Sequence, residues 1–94
     1  MENFRVMSTT TTTASLAWDV PTELIDTYVV VTTDSNGNTI STVPNIPRTT
    51  SSLEVSNLQP CETYTFKIYM TKGNSQGPER TVTGETGNGL QLNL

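Results

Sequence analysis

Ninety-four residues make one domain, since chains divide at roughly 100–200 residues per domain, and the length clears the ~70–80 residues below which a core usually needs disulfide or metal staples. With no histidine and one cysteine, the chain cannot assemble a Ser-His-Asp or Cys-His catalytic set, the usual zinc ligands or an internal disulfide. Nine acids against five bases leave a net charge of −4, which argues against the basic patch that nucleic acid or an anionic membrane surface requires.

Threonine is the commonest residue, and Thr and Val favour strands because their branched side chains are stiff at χ1 and pack on a pleated surface. No window carries apolar residues at helical spacing; period-2 alternation recurs instead. Met1-Glu2-Asn3-Phe4-Arg5 lacks a basic region followed by an apolar stretch and does not read as a signal peptide. Met1 reads as a translation start set before a segment that is already strand-like, with Phe4, Val6 and Ser8 alternating. Ala14, Leu16 and Trp18 alternate against Ser15, Ala17 and Asp19 in a second strand, which Pro21 ends by removing an N–H donor. Tyr28-Val29-Val30-Val31-Thr32-Thr33 is apolar on both faces in its first half, as in a central strand.

Asp34-Ser35-Asn36-Gly37-Asn38 follows, and its Asn-Gly pair is a hairpin signal. The chain returns through Thr39 to Val43, and Pro44 and Pro47 are expected to bracket a break that continues to Thr50. Leu53, Val55 and Leu58 lead to a turn at Gln59-Pro60-Cys61-Glu62. Tyr64, Phe66, Ile68 and Met70 then point one way, with Thr65, Lys67, Tyr69 and Thr71 pointing the other. Lys72 to Pro78 reads as a Gly-rich loop and Glu79 to Thr86 as a last strand. Residues 87–94, punctuated by Gly and Asn, read as a C-terminal linker or frayed tail. Strands separated by turn signals at about 8–12-residue spacing specify an all-β fold, a seven-stranded antiparallel β-sandwich with Greek-key connections. No Asn-x-Ser/Thr sequon occurs and no apolar run approaches the ~18–20 residues of a membrane span.

Three marks in this order resemble the fibronectin type III domain, an immunoglobulin-like sandwich, from about Phe4 to Thr86, which implies a single domain over 1–86. They are Leu16-Ala17-Trp18-Asp19-Val20-Pro21, then Tyr28-Val29-Val30, then Leu58-Gln59-Pro60-Cys61-Glu62-Thr63-Tyr64. The last is similar to the family's Leu-x-Pro-Gly-Thr-x-Tyr signature. The resemblance implies that Trp18, Tyr28, Leu58, Tyr64 and Phe66 are scaffold. Trp18 would fill the ~10 Å gap between sheets, with Tyr28 beside it. Tyr64 would form a tyrosine corner, its ring in the core and its hydroxyl bonded to backbone a few residues upstream. The sequence departs from the family at Cys61 and Glu62, where Gly and Thr are usual. A side chain at 61 is therefore expected to keep the turn out of the left-handed region, where it would cost ~1 kcal/mol or more. Cys61 is expected to be solvent-accessible, as a tolerated turn residue or as a thiol able to pair with another chain.

The acids Glu2, Asp19, Glu23, Asp26, Asp34, Glu54, Glu62, Glu79 and Glu85 are scattered and read as solvated surface charge. Asp19, Glu23 and Asp26 flank one loop, but the ordered spacing of a calcium loop is absent. No catalytic, cofactor or metal site is expected, and the chain is not expected to be an enzyme. Binding is the function the resemblance implies, through loops on a rigid sandwich. Some family members carry an Arg-Gly-Asp integrin motif between the last two strands. Here Lys72-Gly73-Asn74 has the cation and the glycine but an amide in place of the carboxylate, so integrin binding does not carry over.

Lys72, Gly73, Asn74, Ser75 and Gln76 form the candidate partner-binding loop, clustered with Pro21 to Asp26 and Arg48 to Ser52 at one end. Val29, Val31, Lys67 and Tyr69 offer an alternative exposed contact face. The resemblance implies a non-catalytic module of a larger extracellular matrix, adhesion or receptor protein, a monomer in isolation. Its expected partners are neighbouring modules of its own chain and a further protein, with neither nucleic acid nor direct membrane insertion. A spacer of a secreted microbial carbohydrate-active enzyme and an intracellular muscle or signalling module are the alternatives.

Overall fold

The computed structural model describes residues 2–22 and 24–87. Seven strands follow one another: β1 Glu2–Thr9, β2 Ala14–Asp19, β3 Thr27–Thr33, β4 Thr39–Pro47, β5 Ser52–Val55, β6 Thr63–Lys72 and β7 Ser75–Glu85. All pairings are antiparallel, in a three-stranded sheet β1-β2-β5 and a four-stranded sheet β4-β3-β6-β7. The chain changes sheet between β2 and β3, between β4 and β5 and again between β5 and β6, which gives the Greek-key path. Residues 88–94 of the proposed tail lie outside the described residues.

Alternation within each strand decides what fills the space between the sheets. Leu16 and Trp18 from β2 meet Tyr28 and Val30 from β3 and Tyr64, Phe66, Ile68 and Met70 from β6, all buried, with Phe4, Val6, Leu53 and Val82 at the margins. Trp18 packs edge-on against Tyr28, ring centroids 5.3 Å apart, and Phe4 lies 6.2 Å from Trp18. Tyr64 and Phe66 sit 6.4 Å apart farther along β6. Ala17 is buried too although it points out of the core, because a methyl between Arg5 and Ser52 is small enough for its neighbours to cover.

Thr32 breaks the apolar rule. It lies on the core-facing side of β3 at 1% exposure, and its Oγ1 has no hydrogen-bond partner. An unmet buried hydroxyl costs about 1–3 kcal/mol, and valine has nearly the same shape. Thr32→Val is therefore expected to raise unfolding stability by about 1 kcal/mol, read as a higher denaturant midpoint at unchanged slope. A lowered midpoint would show that the hydroxyl is satisfied in solution.

Two local expectations are corrected and one is borne out. The break between Pro44 and Pro47 does not occur, because β4 runs through to Pro47. β4 is an edge strand, so a missing N–H at Pro44 leaves no ladder partner unmet. Val30 pairs with Val43 and Tyr28 with Ile46, so Pro44 and Asn45 bulge, and Asn45 adopts φ 60°. The hairpin expected at the Asn-Gly signal forms between β3 and β4. Asp34 and Asn38 close the hairpin, Gly37 stands at φ 86°, and the Asp34 carboxylate accepts the N–H groups of Asn36 and Asn38, each at 2.9 Å. Finally, Lys72 to Pro78 is not an open loop. Lys72 pairs with Ser75 and Thr71 with Gln76, leaving Gly73-Asn74 as a tight turn with Gly73 at φ 60°. A register shift then places Gly77 and Pro78 in a bulge opposite Met70, which the edge position of β7 tolerates.

Candidate functional site

The connections 20–26, 48–51 and 73–74 meet at one end of the sandwich, each fastened by backbone. Asp26 N–H donates to the Thr71 carbonyl at 2.8 Å, and Gly73 N–H donates to the Asp26 carboxylate at 2.6 Å. The Thr27 and Thr71 hydroxyls are 2.6 Å apart, Trp18 N–H donates to the Ser51 carbonyl at 2.9 Å, and the Tyr28 hydroxyl donates to the Arg48 carbonyl at 3.0 Å. Burial pushes the Tyr28 hydroxyl above its ordinary pKa, an effect that the Trp18 side chain partly offsets. The same aromatic pair that fills the core thus anchors both ends of the 48–51 connection.

Two hollows open on this end. One, of about 130 Å³, lies between Leu24 and the β6–β7 hairpin, walled by Met70, Lys72, Gln76 and Pro78. The other, of about 180 Å³, lies between Leu24 and the β4–β5 connection, walled by Val20, Pro21, Arg48 and Thr49. Leu24 stands between them at 66% exposure, with Val20 at 45%.

Of the candidate loop residues, Lys72 and Gln76 line the first hollow together with Ser75, while Gly73 and Asn74 form the turn tip. Gln76 Nε2 donates to Glu79 at 3.1 Å. Sequence reasoning did not single out Leu24, Val20 or Arg48. The available signal was two large apolar residues inside a connection, outside any alternating run. The acids here are committed elsewhere: Asp19 accepts from Asn3 Nδ2 at 2.6 Å and lies 4.0 Å from Arg5, and Asp26 holds Gly73. Glu23 lies outside the described residues. Among the described residues no group of three potential metal ligands comes together.

The opposite end is built around Tyr64. Its ring is buried, and its hydroxyl accepts the Gln59 N–H at 2.8 Å. Thr86 is tied in beside it: Glu62 N–H donates to its hydroxyl at 3.0 Å, and Thr86 N–H donates to the Glu62 carbonyl at 2.9 Å. Tyr64→Phe is expected to cost about 0.5–1.5 kcal/mol, the net worth of one such bond. An unchanged denaturation midpoint would remove the tyrosine corner as a stabilising feature.

Cys61 is exposed with a free thiol. It adopts φ 57°, so the expectation that its side chain would keep the turn out of the left-handed region is corrected. The surroundings over-determine the geometry, because Cys61 N–H donates to the Gly87 carbonyl at 3.0 Å while Glu62 binds Thr86 on either side. Left-handed backbone costs a non-glycine residue about 1–2 kcal/mol. Part of that returns on substitution, since glycine loses more entropy on folding. Cys61→Gly is therefore expected to stabilise the domain by up to about 1 kcal/mol, and Cys61→Ala to leave it unchanged. Equal midpoints for the glycine and alanine variants in equilibrium unfolding would contradict a strained turn.

The alternative contact face is also altered. Val29 is 7% exposed rather than open, because it sits on a central strand directly across from Tyr69, where neighbouring side chains cover it. Val31, Lys67 and Tyr69 are half-buried, and Lys67 Nζ lies 3.4 Å from Glu79. This face is more closed and more internally paired than the loop end.

The family model for the fibronectin type III domain matches residues 1–86. Tenascin-R of Gallus gallus is 34% identical over 82 residues, covering 87% of this chain and 6% of that protein, so the chain spans a small part of its relative. A solved two-domain fibronectin type III segment of chicken tenascin superposes with a TM-score of 0.84 at 26% identity, over 90% of this chain and 47% of that one. A computationally redesigned β-sandwich protein gives a TM-score of 0.83 at 30% identity, over 95% and 94% of the two chains. On the strand order, the buried Trp18 and Tyr64, and these matches together, the chain belongs to the fibronectin type III domain family.

Proposed function

We propose that this domain is a non-catalytic module of a larger extracellular matrix, adhesion or receptor protein. It would space its neighbours in line and offer its loop end to a protein partner. The observation that carries this reading is the placement of the two ends of the domain. Glu2 pairs with Asp19 at the loop-cluster end, whereas Thr86 and Gly87 bond to Glu62 and Thr10 at the other. The chain therefore enters and leaves at opposite ends of a body measuring 48 × 24 × 16 Å. Repetition of such units extends a polymer rather than compacting it. The likeness to one small part of tenascin-R supports the modular reading. Among the described residues, no helix is long and apolar enough to cross a membrane.

The test is small-angle X-ray scattering on two copies joined through residue 87. In-line spacing predicts a maximum dimension near twice the 48 Å long axis. A compact, folded-back pair would count against the spacer role. Saturable binding to a glycan array would instead favour an accessory module of a carbohydrate-active enzyme.

A further inference from the structure

We infer that the loop end binds a short acidic peptide segment bearing aliphatic side chains. The aliphatic groups would enter the two hollows beside Leu24, with carboxylates meeting Arg48 on one side and Lys72 on the other. This deepens the reading of the domain as a protein-binding module and rests on it.

Charge carries the first half of the argument. The protein has only five cationic side chains and a net charge of −4. Arg5 lies against Asp19 and Lys67 against Glu79. Arg48 and Lys72 have no ion pair among the described residues, and each walls one of the two hollows. Asp26, at the same end, accepts the Gly73 amide and forms no ion pair with either cation. Arg80 bonds the Glu79 carbonyl, so among the described residues Arg48 and Lys72 stand on both sides of one apolar ridge without an ion pair, an arrangement complementary to negative charge at that place.

Shape carries the second half. Volumes of about 130 and 180 Å³ bracket the roughly 150 Å³ cavity known to hold a benzene-sized ligand, so each hollow takes one aliphatic side chain. Leu24 and Ile25 contribute to both, which makes the two hollows a single surface with a common ridge. An exposed leucine at the centre with cations at the rim has the arrangement of an interface with an apolar core and a charged rim. The backbone bonds from Asp26, Thr71 and Tyr28 hold both walls in position, so little ordering cost falls on binding.

The experiment is selection of a displayed library of random peptides on the immobilised domain, with a Leu24→Ser, Arg48→Glu, Lys72→Glu triple variant as counter-target. The expected result is enrichment of peptides combining Asp or Glu with Leu, Ile or Val. Synthesised and titrated by fluorescence anisotropy, these should bind at least about tenfold more weakly to Leu24→Ser and to Arg48→Glu/Lys72→Glu. Binding to the parent domain should weaken with added salt, and that dependence should be reduced in the charge variant. Thr83→Glu, exposed on β7 towards the Tyr64 end, should leave binding unchanged. Equal denaturation midpoints for all variants exclude misfolding as the cause of any loss.

No enrichment over the triple variant, enrichment of neutral or basic peptides, or an equal loss in Thr83→Glu would overturn the inference. The scattering result on joined copies is independent of this selection, so the spacer reading stands or falls separately.

Discussion

Trp18→Ala is expected to lower the free energy of unfolding by about 3–5 kcal/mol, the range for removing a large aromatic side chain from a packed core. Trp18 is almost fully buried, with Tyr28 on one side and Phe4 on the other. Alanine would leave a cavity that the two paired sheets cannot close, since their separation is held by the rest of the core. Against a total stability of about 5–15 kcal/mol, a loss of that size brings the domain near its unfolding threshold. The effect should also be local to the loop end. The Trp18 backbone holds Ser51 and the Tyr28 hydroxyl holds Arg48, so disorder after the substitution should show first in the amide exchange of 48–51. Trp18→Phe keeps an edge-on ring beside Tyr28 and should cost less than alanine. A denaturation series giving under about 1 kcal/mol for the alanine variant would contradict the central role of this residue.

Phe66→Ala is expected to cost a similar amount, about 3–5 kcal/mol, at the other half of the core. Phe66 is fully buried on β6, paired with Thr32 on β3 and Val82 on β7. The ring also fills the space that Gly84 leaves open. A Cβ added at Gly84 would stand 3.1 Å from Val6 and 3.6 Å from the Phe66 ring, so the glycine is what lets β1 close against β7 over that ring. Phe66→Leu keeps most of the volume and should lose less than about 1.5 kcal/mol. If leucine and alanine gave equal losses in urea denaturation, the cost would come from strand pairing rather than from core volume.

These expectations show how unevenly the fold was legible. The residues needed for Trp18→Ala and Phe66→Ala could be chosen from alternation alone. A period of two sorts the faces of a strand whatever its neighbours are, and a lone tryptophan in such a run belongs between the sheets. The family resemblance clustered Pro21 to Asp26 and Arg48 to Ser52 at one end, but nothing singled out Leu24, Val20 or Arg48, which belong to connections with no period. What brings them together is the return of the chain from the second sheet.

By itself, the sequence determined the all-β class, the seven strands, the core face of β2, β3 and β6, and the Tyr64 corner. The first three follow from side-chain chemistry at short range, and the corner from the resemblance carried by Leu58 to Tyr64. Only the tertiary structure decided that β4 continues through Pro44, that β7 begins at Ser75, that Cys61 is held in a left-handed turn and that Val29 is covered. For Cys61 and Val29 the deciding partner is distant in the chain, and for β4 and β7 it is the place of the strand in the sheet. A proline is tolerated because its strand lies at an edge, a strand starts early because β6 offers it a ladder, and a strained turn persists because the far end of β7 is bonded across it.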